Sequence, residues 1–109
     1  MAFNFAVKCG DTYNGAQITV EVTDSEGITK LLDLKDATAS MTITKQAEFT
    51  PTKVLTTGSG LTILSSEGVI GIDSQIFDLR PGLYDYQIRF ILANGVVKSY
   101  VGGVITAVR

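Results

Sequence analysis

The segment Leu83-Tyr84-Asp85-Tyr86-Gln87-Ile88-Arg89-Phe90-Ile91-Leu92 alternates apolar and polar side chains, runs into Ala93-Asn94-Gly95-Val96, and resumes as Val97-Lys98-Ser99-Tyr100-Val101. A period of two is the mark of a strand with one buried face. Asn94-Gly95 predicts a two-residue type I′ turn, because both central residues then need positive φ and Asn and Gly reach that region at the least steric cost. A turn that tight sets Leu92 opposite Val97, Ile88 opposite Val101 and Arg89 opposite Tyr100. One face of the hairpin then carries Tyr84, Tyr86, Ile88, Phe90, Leu92, Val97 and Val101. The other carries Asp85, Gln87, Arg89 and Lys98. A sheet with one dry face needs a second layer over it, so the hairpin predicts a sandwich or a closed barrel.

The rest of the chain continues in the same style. Ala16 to Val22 alternates, with Ala16, Ile18, Val20 and Val22 inward. Asp24-Ser25-Glu26-Gly27 turns the chain, Ile28 to Leu32 returns as a short strand, and Asp33 to Asp36 is a connection with a bend or a single helical turn. Ala37 to Thr44 alternates again, with Ala37, Ala39, Met41 and Ile43 inward. Lys45 to Thr52 is polar, holds one of the two prolines, and reads as a loop leading to a strand at Lys53–Thr56. Leu61-Thr62-Ile63-Leu64 and Val69-Ile70-Gly71-Ile72-Asp73 are strands joined by Ser65-Ser66-Glu67-Gly68. Ser74 to Leu79 is the best candidate for a helical turn, with Ser74 as its cap and Ile76, Phe77 and Leu79 plugging an open end of the core. Gly102-Gly103 marks a bulge or bend before a last strand at Val104–Val108. About seven to nine short strands, with turns roughly every 8 to 12 residues, predict an all-β chain: a single immunoglobulin-like antiparallel β-sandwich domain over residues 1–109. With no Trp and no pair of cysteines, an antibody-type domain is excluded.

Composition narrows the chemistry. The 109 residues suffice for one domain with its own core. There is no histidine, which removes the usual general base, metal ligand and neutral-pH switch together. Cys9 stands alone; it has no partner for an internal disulfide, cannot seed a common zinc site, and reads as a small side chain at the edge of the core. A net charge of −2 with acids and bases mixed along the chain offers no basic stripe for phosphates, so nucleic-acid binding is not expected. No apolar run approaches the ~20 residues of a membrane helix, and the N-terminus lacks the pattern of a signal peptide, which together predict synthesis in a cytoplasm.

Candidate sites are few. Glu67, Asp73, Asp78 and Asp85 lack the spacing of a calcium loop and read as solvated turn acids. Thr56-Thr57-Gly58-Ser59-Gly60 lacks the lysine and following helix of a phosphate loop and reads as a flexible turn. Tyr84 and Tyr86 read as core residues whose hydroxyls reach the rim. Tyr100, set opposite Arg89 on the outer face and near Lys98, is the candidate interface: an aromatic on a polar sheet face can stack on a guanidinium and anchor a partner. No catalytic, cofactor or metal residues are assigned.

Gly10-Asp11-Thr12, Asp24-Ser25-Glu26-Gly27, Asp33-Leu34-Lys35-Asp36-Ala37-Thr38, Gly68-Val69-Ile70-Gly71-Ile72, Leu79-Arg80-Pro81-Gly82-Leu83-Tyr84-Asp85-Tyr86-Gln87-Ile88 and Val101-Gly102-Gly103-Val104-Ile105-Thr106 follow one another over nearly the whole chain. In this order they resemble the immunoglobulin-like domain at the N-terminus of phage baseplate upper proteins and related virion proteins. That resemblance implies a non-enzymatic phage virion structural protein of the tail or baseplate, neck or head decoration. It would be made in the host cytoplasm and assemble with other virion proteins and with itself as a homo-oligomer, without nucleic acid, membrane or cofactor. Members of that family usually continue into further fibre or attachment segments. This chain ends at Arg109, so the expectation is a virion building block rather than one particular place in a tail. The alternative is a carbohydrate- or cell-surface-binding adhesion module using Tyr100 and the loop from Gln46 to Thr52.

Overall fold

A computed structural model describes residues 3 to 109, the side chain of Tyr100 excepted. The strands are β1 (Phe5–Lys8), β2 (Thr12–Tyr13), β3 (Ala16–Thr19), β4 (Glu21–Thr23), β5 (Thr29–Leu31), β6 (Thr38–Lys45), β7 (Lys53–Thr57), β8 (Gly60–Ser65), β9 (Val69–Ile72), β10 (Gln75–Ile76), β11 (Gly82–Ile91) and β12 (Val97–Val108). No helix occurs among the described residues. Eight strands form one sheet in the order β1-β12-β11-β6-β7-β8-β9-β3, while β4 pairs with β5 and β10 with β2. The strand count exceeds the expected seven to nine because the expected Ala16–Val22 strand divides at Val20, because β2 and β10 have two residues each, and because β1 pairs with a strand remote in sequence. Val20 still bonds on both sides: its amide donates to the Gly68 carbonyl at 2.8 Å and its carbonyl accepts from the Leu32 amide at 2.9 Å.

β11 lies between β12 and β6, antiparallel to both. Its alternation is strict: Tyr84, Tyr86, Ile88 and Phe90 are buried, and Leu83, Asp85, Gln87, Arg89 and Ile91 are exposed. Ala39, Met41 and Ile43 of β6 and Val101, Ile105 and Ala107 of β12 join them inside. Between β7 and β8 the chain crosses over in a short parallel contact, Thr56 opposite Gly60 and Thr57 opposite Leu61. Leu61, Ile70, Ile72 and Ile18, beyond that crossing, belong to the same buried cluster as the β11 side chains. The sheet is therefore curled, and both of its halves seal one core. Each large apolar side chain so buried contributes roughly 1.5–3 kcal/mol. A purely antiparallel arrangement, the expectation from the sequence, does not hold, because β1 joins β12 in parallel as well.

The hairpin tip departs from the expected turn. The Leu92 amide donates to the Val96 carbonyl at 2.9 Å and the Gly95 amide donates to the Leu92 carbonyl at 2.8 Å, which closes a three-residue loop of Ala93, Asn94 and Gly95. Gly95 has φ 84° while Asn94 is not in the left-handed region, the pattern of a turn ending in a glycine bulge rather than type I′. The Asn94 side-chain oxygen accepts from the Val96 amide at 3.0 Å. The pairing consequently slips by one residue: Ile91 opposes Val97, Phe90 opposes Lys98, and Arg89 opposes Ser99. An extra residue in β12, Tyr100, restores the register so that Ile88 opposes Val101 as expected.

Two further expectations are corrected. Ser74 to Leu79 makes no helical turn; Gln75 and Ile76 pair with Tyr13 and Thr12 instead. Of the three expected plugs, Phe77 and Leu79 are buried and Ile76 is exposed. Gly102-Gly103 is not a bulge and does not end a strand, since β12 continues through it with Gly102 opposite Gln87 and Gly103 opposite Tyr86. The pair makes room for the N-terminal segment: a Cβ on Gly103 would collide with the Phe3 carbonyl oxygen. Phe3 donates its amide to the Gly102 carbonyl at 2.9 Å, and the Asn4 side chain accepts from the Val104 amide at 2.9 Å. Phe5 stacks on Tyr13 at 5.1 Å between ring centroids and meets Tyr86 edge-on at 5.5 Å. The Tyr86 hydroxyl donates to the Phe3 carbonyl. Burial, with Tyr13 adding to it, pushes the Tyr86 phenol up to about 12, and burial also raises that of Tyr13.

Candidate functional site

The candidate interface lies toward the tip of the central hairpin, and the slip decides what is displayed there. Because side chains alternate, moving a strand by one residue exchanges its faces. Arg89 stays outward, in a row with Ser40 of β6 and Ser99 of β12. Lys98 shares a register position with buried Phe90, on the opposite face of the ribbon from Arg89, and is itself exposed past the edge of the core. Val97, expected inside, pairs with Ile91 on the outer face, where the two are 51% and 49% exposed. Arg89 and Lys98 are thus not brought together, and the pairing of Arg89 with Tyr100 is replaced by one with Ser99. The expected stacking of the Tyr100 ring lies outside the described residues.

What does come together is an aliphatic pair, Ile91 and Val97, bordering a face rich in hydroxyls. Thr38, Ser40, Thr42 and Thr44 of β6 lie in register with Ile91, Arg89, Gln87 and Asp85. Such a surface can adhere to another protein through apolar contact at the pair and hydrogen bonds from Arg89 and the hydroxyls.

Sequence reasoning named the loop from Gln46 to Thr52 but missed its sharpest feature. Phe49 is fully exposed. The loop beneath it is pinned by the Gln46 amide on the Leu83 carbonyl at 3.1 Å, by the Glu48 amide on the Lys45 carbonyl at 3.0 Å, and by the Gln46 side-chain amide on Asp85 at 3.2 Å. The signal was available: an aromatic in a polar, aperiodic stretch before Pro51 has no apolar face to join. A depression of about 260 Å³ beside the loop is lined by Lys45, Glu48, Thr52, Asp78, Arg80 and Tyr84.

The acids singled out in the sequence are dispersed. Asp73 accepts a hydrogen bond from Thr62 at 2.7 Å and Asp85 is engaged by Gln46. Among the described residues no three His, Cys, Asp or Glu side chains converge as a metal site. Cys9 is half-buried and packs against the core edge. Tyr84 and Tyr86 are buried, as expected, and the Tyr84 hydroxyl donates to the Arg80 carbonyl at 2.8 Å. No helix of the described residues is long and apolar enough to cross a membrane.

No known protein family matches the chain, and no curated protein matches it.

Proposed function

We propose that this chain is an immunoglobulin-like sandwich that serves as a structural component of a phage virion, in its tail or baseplate, neck or head decoration, acting by protein–protein assembly rather than catalysis. The observation that carries the fold is the Tyr84 hydroxyl on the Arg80 carbonyl. A tyrosine near the start of a central strand, bonded back to the backbone just upstream, resembles the tyrosine corner of immunoglobulin-like sandwiches. Strand order supports it: β12, β11 and β6 occupy adjacent positions like the G, F and C strands of that architecture, and β3, β9 and β8 like B, E and D. Assembly is supported by the exposed pair Ile91 and Val97 beside Arg89, together with the resemblance of the motif order to phage baseplate proteins.

Light scattering over a wide concentration range tests the reading. The parent chain is expected to self-associate, and Val97→Asp to weaken that association while keeping the strand spectrum. A strict monomer at every concentration that also fails to bind virion proteins contradicts it. Phe49, fully exposed beside the depression lined by Arg80, Asp78 and Glu48, favours a second reading as a carbohydrate-binding module. Binding on a glycan array that Phe49→Ala abolishes would select it.

A further inference from the structure

β1 meets the eight-stranded sheet at its edge, along β12 alone, and the surface it occupies there is shaped for it. Phe5, Ala6, Val7 and Lys8 lie in register with Ile105, Thr106, Ala107 and Val108, and the Cys9 amide extends the ladder by donating to the Val108 carbonyl at 2.7 Å. Ahead of the strand, Gly103 leaves space for the Phe3 backbone, Val104 donates its amide to the Asn4 side chain, and the Tyr86 hydroxyl reaches the Phe3 carbonyl. The groove therefore reads a short extended segment: an aromatic, an amide, a second aromatic and a buried valine.

The turn that joins this segment to β2 is short. After Cys9 only Gly10 and Asp11 precede β2, and the turn is held by one hydrogen bond, from the Asp11 amide to the Lys8 carbonyl at 3.1 Å. Gly10 holds φ +83° with no atom within 4 Å of where its Cβ would be, so the turn is not packed against anything there. An edge element carried on such a hinge can be exchanged, because opening the hinge lets a neighbour supply the same element with every contact kept.

We propose that Phe3–Cys9 is an exchangeable strand, and that in an assembly the groove along β12 receives this segment from a second copy of the chain. This deepens the assembly reading by naming the partner and the surface, and the two can fail separately. Loss of the exchange leaves assembly through the Ile91–Val97 pair standing. Failure to bind virion proteins leaves the exchange standing.

The test places cysteines at the registered pair Ala6→Cys and Thr106→Cys in the full chain carrying Cys9→Ser, with and without Gly10→Pro. Proline fixes φ at about −65° and so opens the hinge. After refolding at high concentration, the Gly10→Pro chain is expected to double in mass from 11.6 kDa and to oxidise to a covalent dimer. Adding Gly103→Val, which blocks the groove, is expected to abolish that dimer. A monomer, or a dimer whose disulfides close within each chain, overturns the proposal. If Gly10→Pro does not refold, the same cysteine pair with Gly10 retained decides. A covalent dimer fraction that rises with concentration during refolding supports exchange, and intrachain closure at every concentration overturns it.

Discussion

The body and the tip of the β11–β12 hairpin obey different rules. In the body, Tyr84 faces Ile105, Tyr86 faces Gly103 and Ile88 faces Val101, and each position is fixed by what it buries. At the tip, Ile91 faces Val97 and Arg89 faces Ser99, with exposed side chains in both pairs. Burial sets the inward face of β11 along its whole length, Phe90 included; on β12 the turn sets the pairing at the tip, and the extra residue Tyr100 reconciles it with the body. A bulge in one strand can therefore change what that strand displays while its partner keeps burying the same face.

Substitutions that probe each region should differ in kind as well as size. Ile88→Asp buries an unpaired carboxylate in the body and is expected to unfold the chain, seen as loss of the cooperative thermal transition. Next in size, Gly103→Val drives a side chain into the Phe3 backbone; it is expected to lower stability by about 1–3 kcal/mol in denaturant titration and to expose the N-terminal segment to protease. Tyr86→Phe removes the donor to the Phe3 carbonyl and is expected to cost ~1–2 kcal/mol in the same titration.

Tyr86 also sets an alkaline limit. Its phenol is raised in the fold, so the neutral form is the one the fold favours. The resulting stability is complete below the unfolded value of about 10 and is lost as pH rises through the folded value of about 12. A pH series of melting curves should show a decline in that window that Tyr86→Phe makes shallower. Smallest of all, Val97→Asp at the tip is expected to change stability by about 0.5 kcal/mol or less, while weakening self-association. An equal loss of stability from Val97→Asp and Ile88→Asp would erase the distinction between tip and body.

The same contrast explains what could be read in the sequence. β6 and β11 were legible because alternation over several residues records which face is buried, and the inward placement of Met41, Ile43, Tyr84, Tyr86 and Ile88 followed from it, while β8 and β9 showed through their β-branched residues between turn signals. Asn94-Gly95 was not decisive, because Gly in the left-handed region serves a two-residue and a three-residue loop alike, and the choice between them moved Val97 and Lys98 to opposite faces. Ser74 to Leu79 carries a helix cap and apolar spacing, yet pairing of Gln75 and Ile76 with β2 overrode both. β1 was invisible because its partner lies about a hundred residues away and its groove consists largely of an absent side chain, at Gly103. As for the site, Arg89 was rightly set outward, while Phe49 was passed over for want of any periodic pattern around it.

Cross-strand nuclear Overhauser contacts along β11 and β12 test the central claim most directly. The account predicts backbone contacts between Arg89 and Ser99 and between Ile91 and Val97, together with Ile88 to Val101. Contacts between Leu92 and Val97 and between Arg89 and Tyr100, with no discontinuity along the ladder, would contradict it and return Val97 to the core face.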